Sequence, residues 1–141
     1  MTERRYMLDT NIVSDMVRNP SGTCFRRWRA TGYSNICISA IVSSELLFGI
    51  QKRQSARLAA AMESFVAQLD ILPYQPLADR HYADIRSSLE RNGTPIGPFD
   101  LLIAAHARSL DLILVTDNIR EFSRVDGLKL ENWIEREPSD V

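Results

Sequence analysis

Apolar residues along this chain follow two rhythms that alternate from one end to the other. Short unbroken runs, "YML", "ICIS", "ILPY", "LILVT" and "LKL", read as strands. Between them, apolar positions recur every three or four residues. Leu58, Met62, Phe65, Val66 and Leu69 make one stripe, on a helix expected over residues 55–69. Ala78, Tyr82, Ile85 and Leu89 make another, on a helix that "RNGTPIGP" ends. Further helices are expected over residues 12–18, stopped by "NPSG", and over 23–30, 41–51 and 99–110.

Strands this short and this apolar, spaced by helices, build a parallel sheet covered on both faces. Right-handed crossovers bring the carboxyl end of every strand to one edge. The expected fold class is therefore α/β, a three-layer arrangement with a short parallel sheet flanked by helices on both faces. No repeat, low-complexity tract or linker divides the chain, so residues 1–135 read as one domain. Residues 136–141, "REPSDV", have little to bury and read as a frayed tail.

Composition narrows the function classes. A chain of 141 residues can bury a core without staples, and its 45% hydrophobic and 25% charged shares are average for a globular protein. A net charge of −1 excludes polyanion binding driven by overall charge. The basic residues are lopsided, with fifteen arginines against Lys52 and Lys129. Arginine suits bidentate phosphate contacts, although genome base composition produces the same bias. An RNA ligand would need a local face, such as Arg26, Arg27 and Arg29, or Arg120 and Arg124. Cys24 and Cys37 lack CxxC spacing and read as buried small side chains, not as a zinc site or disulfide. No run approaches the roughly 18 apolar residues of a membrane span, and "MTERRYMLDTN" lacks a signal-peptide core. The expected compartment is the cytoplasm.

Candidate chemistry collects where strands end. Asp9 directly follows "YML"; Asp9, Thr10 or Asn11 could simply cap the next helix. Glu45 lies about one turn into the helix after "ICIS", where a solvated helix residue is the plain alternative. Asp117 follows "LILVT" and could merely start a turn. Asp100 is the informative acid, because "DLLIAA" is too apolar to face solvent and desolvating a lone carboxylate is costly. Four carboxylates at one sheet edge repel unless something positive sits among them. No lysine lies near them, and neither His81 nor His106 has ligand spacing to the acids; His106 falls on a different side of the helix from Asp100. A hard divalent cation, Mg²⁺ or Mn²⁺, is the remaining candidate, and it implies phosphodiester chemistry.

Four separated pieces resemble PIN-domain ribonucleases of the VapC toxin type: "MLDTNI", "CISAIVSSELLFG", "PIGPFDLLIAAHA" and "LILVTDNIREFSRVDGLKLENW". They span the chain from Met7 to Trp133 in the family's order. The resemblance implies that Asp9 and Asp100 are the principal metal ligands. Glu45 would bind through water or orient the nucleophile, and Thr116 would support the site with its hydroxyl. At the fourth acid the sequence departs from the family pattern. Asn118 stands at that position with Asp117 just before it, so either Asp117 swings in or Asn118 supplies a neutral ligand. The resemblance further implies a toxin that cuts structured RNA, often tRNA and in similar members the initiator tRNA. It also implies a homodimer, silenced by a VapB-type antitoxin in a larger complex that meets operator DNA only through the antitoxin.

Three rivals remain. A haloacid-dehalogenase-type phosphotransferase needs a second acid two residues after the first, where this chain has Asn11. A response-regulator receiver wants paired acids early and a lysine after a late strand. A PIN-like module that binds metal or partner without cutting would have no need of Asp9, Glu45 and Asp100 together.

Overall fold

The computed structural model describes residues 5–135; the expected tail at 136–141 lies outside the described residues. Five strands form one parallel sheet: β1 (Tyr6–Leu8), β2 (Ile36–Ser39), β3 (Asp70–Leu72), β4 (Ile113–Val115) and β5 (Lys129–Glu131), in the order β3-β2-β1-β4-β5. Their register sets Met7 beside Cys37 on one side and beside Leu114 on the other. Seven helices connect and cover it: α1 (Thr10–Arg18), α2 (Thr23–Thr31), α3 (Ala40–Arg53), α4 (Ala56–Val66), α5 (Ala78–Arg91), α6 (Pro98–Ser109) and α7 (Ile119–Phe122). The fold is the expected α/β arrangement, a parallel sheet flanked by helices. Every residue of β1 and β2 is buried, as strands covered on both faces must be.

Local chemistry sets the helix starts. Asp9, Ser39 and Ser55 cap α1, α3 and α4, accepting from Thr10, Ile41 and Leu58 N–H at 2.8, 3.0 and 3.2 Å. Pro98 opens α6 at a position where no amide donor is needed. α1 therefore begins at Thr10 rather than at residue 12, and α4 ends at Val66, with Leu69 packing from the following turn. β3 runs Asp70–Leu72 and stops before Pro73, which the apolar run "ILPY" had overrun. The one-turn α7 and a short 3₁₀ turn at Tyr33–Asn35 are too brief to leave a periodic signal.

The core runs through β1, β2, β4 and the inner faces of α1 and α6. Trp133, beyond the last strand, packs edge-on against Tyr6 with ring centroids 5.2 Å apart. Its carbonyl accepts from the Thr23 hydroxyl at 3.0 Å and its indole donates to Glu131 at 3.0 Å, which ties the chain end to α2 and β5. Both cysteines are buried and neither is in a disulfide, as expected.

Candidate active site

The chain leaves β1 toward β2 and β3 on one side and returns to β4 and β5 on the other. That reversal opens a crevice between the carboxyl ends of β1 and β4, where open α/β sheets bind their ligands. Asp9 ends β1 there. It caps α1 and also bonds across the crevice to Thr116, beyond β4. One carboxylate oxygen accepts from Thr10 N–H; the other accepts from the Thr116 hydroxyl at 2.8 Å and from Asn11 Nδ2 at 3.3 Å. Burial raises its pKa, and these donors oppose the rise.

Thr116 follows β4 and is fully buried. Its hydroxyl donates to Asp9 and accepts from Asn118 N–H at 3.0 Å, with Asn11 Nδ2 at 3.5 Å. Loop and strand are thereby fixed around one carboxylate oxygen.

Asp100 enters from the first turn of α6. Its carboxyl is pushed up to about 7, first by burial, next by a hydrogen bond to Glu121, then by the negative fields of Asp9, Glu121 and Glu45. Glu45, on α3, is raised by burial and then by Asp9. Thr10 Oγ1, buried without a partner in bonding geometry, sits close enough to Glu45 to oppose part of that rise. Asp9, Glu45 and Asp100, each distant from the others in sequence, thus lie within one another's fields.

The fourth acid to reach the cluster is Glu121, which sequence reasoning passed over. The hydrogen bond from Asp100 lowers its pKa, and a second from Asn118 Nδ2, at 3.1 Å, adds to this. Arg124 favours the same charge while donating to the Pro95 carbonyl at 3.0 Å. The available signal was spacing: Glu121 lies one helical turn beyond Asn118. Asn118 therefore faces the cluster by holding Glu121. Asp117 is engaged elsewhere, its carboxylate accepting from Asn132 at 3.0 Å and its field helping to raise the Cys24 thiol.

Neither histidine joins the acids. His106 is buried, with Nδ1 2.8 Å from the Ser39 hydroxyl, and His81 accepts from Arg108 at 2.8 Å. Of the arginines proposed as an RNA face, Arg27 pairs with Glu131 at 2.9 Å and lies over the Trp133 ring.

Comparison with known proteins decides the family. The PIN domain pattern matches residues 6–128. A tRNA(fMet)-specific endonuclease VapC of Shigella flexneri is 43% identical over 92% of this chain and 98% of its own. The chain belongs to the VapC-type PIN-domain ribonucleases. A ribonuclease VapC2 of Haemophilus influenzae is 41% identical over the same shares. Among solved structures, DNA-bound VapBC from Salmonella typhimurium aligns with a TM-score of 0.85 at 39% identity, covering 92% of this chain and 98% of that one. VapBC2 from Rickettsia felis, bound to a promoter DNA fragment, aligns with a TM-score of 0.83 at 35% identity, covering 91% and 98%.

PIN-domain ribonucleases as a family depend on a divalent metal. The donors of this VapC-type site suit one. All are carboxylate oxygens, the ligands hard cations prefer, and their mutual repulsion is what a cation would relieve. Among the described residues no three acidic, histidine or cysteine side chains form a ready-made cage. A cation held by two carboxylates and its own waters needs none.

Proposed function

We propose that this chain is a toxin endoribonuclease that uses Mg²⁺, with Mn²⁺ able to replace it, to cut structured RNA, with tRNA and specifically initiator tRNA as the substrate class. The observation that carries the reading is that Asp9, Glu45 and Asp100 lie within one another's fields, with Glu121 bonded to Asp100, in a chain closely similar to tRNA(fMet)-specific endonucleases. Asp9 and Asp100 would hold the cation. When bound, it supplies an acidified water and offsets charge on the phosphodiester.

The protein groups divide the remaining work. Thr116 and Asn11 fix the Asp9 carboxylate, so that its orientation costs nothing when substrate arrives. Glu45 orients the attacking water by accepting its hydrogen bond. Glu121, steered by Asn118, holds Asp100 in place and exchanges a proton with it. Asp117 remains a second candidate for the fourth acid.

The same likeness supports a VapB-type antitoxin as partner, a homodimer within a larger toxin–antitoxin complex, and operator DNA contact through the antitoxin. No described helix is long and apolar enough to cross a membrane, and the cytoplasm, where tRNA is found, is the proposed compartment.

The test is cleavage of RNA by the purified chain with Mg²⁺, followed by sequencing of the new ends. Cutting should stop with EDTA and in both Asp9→Asn and Asp100→Asn. Full activity in either variant, or indifference to chelator, refutes the mechanism. RNA binding without any cutting would favour the inactive-module reading.

A further inference from the structure

A groove of about 300 Å³ runs between α1, α3 and α4. Its near end is the site itself, since Thr10, Asn11 and Glu45 line it. Its far end carries Arg18 and Arg53. Each arginine lies eight residues beyond its near-end counterpart, Thr10 on α1 and Glu45 on α3, about 12 Å along the helix. Unlike those of Arg27, Arg86 and Arg108, neither guanidinium has an ion-pair or hydrogen-bond partner among the described residues. The floor between the two ends is apolar, built by Leu46, Ile50 and Met62.

Gly49 lines the same groove from the interior of α3. Glycine is a poor helix former, and here neither backbone nor packing demands it. A Cβ at this position would meet no atom within 4 Å. A Cβ there would therefore enter open space at the groove wall.

We propose that this groove binds the nucleotide flanking the scissile phosphate, with its base on the apolar floor beside Gly49 and its phosphate on Arg18 and Arg53. The assignment rests on the ribonuclease reading above. Arginine meets phosphate with a bidentate fork, and a base covers apolar surface as readily as an aromatic ring does. RNA is favoured over an acidic peptide because the groove is continuous with the acids proposed to hold the cation, so a strand with its scissile phosphate there runs directly into it. Basic residues in the last turns of α1 and α3 also complement the helix dipoles, and that role alone would change stability without changing RNA binding.

The experiment uses the full chain carrying Asp100→Asn, so that RNA is bound and not cut. Binding of a fluorescein-labelled single-stranded oligoribonucleotide is followed by anisotropy at several KCl concentrations. Arg18→Gln and Arg53→Gln should each weaken binding by about 3- to 10-fold and each reduce the salt slope by about 0.7. Arg18→Lys should retain the slope. Gly49→Ala should melt at a higher temperature yet bind RNA more weakly, with the slope unchanged. Unchanged affinity and slope in the doubly substituted chain would overturn the assignment, as would a loss confined to melting temperature. Loss of binding to an acidic leucine-rich peptide with RNA binding intact would give the groove to a protein and overturn it equally. If the unsubstituted chain cuts RNA and the arginine variants still bind normally, only the groove is wrong. If it neither binds nor cuts, the ribonuclease reading falls as well.

Discussion

Asp100→Asn should make the metal-free protein more stable while abolishing cleavage. In the folded chain the Asp100 carboxyl sits at about 7 instead of 3.8, because it is half-buried, bonded to Glu121 and faced by Asp9 and Glu45. Between those two pH values the folded state keeps a proton that the unfolded state releases, so stability falls as pH rises through the window and stays low above it. At about 1.4 kcal/mol per pH unit the full rise corresponds to about 4 kcal/mol. Partial exposure and salt screening reduce this to about 2 kcal/mol. Asparagine removes the titration and still offers Glu121 an N–H where the protonated acid offered an O–H. For a domain of this size the gain is about 6 °C in melting temperature. The assay is thermal unfolding followed by circular dichroism in EDTA at pH 5 and pH 8.5. The variant should exceed the parent at pH 8.5, and the gap should shrink toward pH 5. Added Mg²⁺ should raise the parent and leave the variant where it was, because only the parent keeps both principal ligands. A gap that is absent at pH 8.5, or equal at both pH values, would show that the acids do not repel one another as argued.

Three further outcomes follow from the same geometry. Thr116→Val deletes the donor to Asp9 and the acceptor for Asn118 N–H; it should cost about 1–3 kcal/mol in urea unfolding and lower the cleavage rate about 10- to 100-fold, and an unchanged rate would mean that Asp9 needs no steering. Glu121→Gln should slow cleavage more than either Asp117→Ala or Asn118→Ala in single-turnover assays, whereas a larger effect of Asp117→Ala would restore that residue as the fourth acid. His106 is held neutral by burial, against an opposing bond to the Pro73 carbonyl; stability should therefore be lost as pH falls below the unfolded value near 6.5, visible as a lower urea midpoint at pH 5.5 than at pH 7.5 in the Asp100→Asn background, with His106→Gln removing the difference.

Periodicity carried most of the architecture because the central strands β1, β2 and β4 are short apolar runs and α4 and α5 each have a clean stripe. "ICIS" and "YML" could be nothing but covered strands, and in the structure all their residues are buried. Boundaries were less legible where a polar side chain or a proline, not an apolar pattern, does the terminating, as with Asp9 before α1 and Pro73 after β3. Strand order is not written in any local pattern; it emerges from how the crossovers stack, and it is the order that creates the β1–β4 crevice.

The site divides along the same line. Asp9 and Asp100 stood out because a carboxylate beside an apolar run is locally costly, and cost is readable from sequence. Glu121 stands in "NIREF", between a basic and an aromatic residue, where an acid costs nothing locally, so no single-residue argument distinguishes it from a surface glutamate. Its significance comes only from α7, a single turn that carries it back over Asp100. The same turn leaves Asp117, next to the strand and so the more obvious choice by sequence, bonded to Asn132. Adjacency to a strand end pointed equally to Asp9 and Asp117, of which only Asp9 acts on Asp100, and it could not point to an acid that a separate helical turn delivers. An acid found one helical turn after a strand-ending threonine loop belongs in the candidate set even where its local context is ordinary.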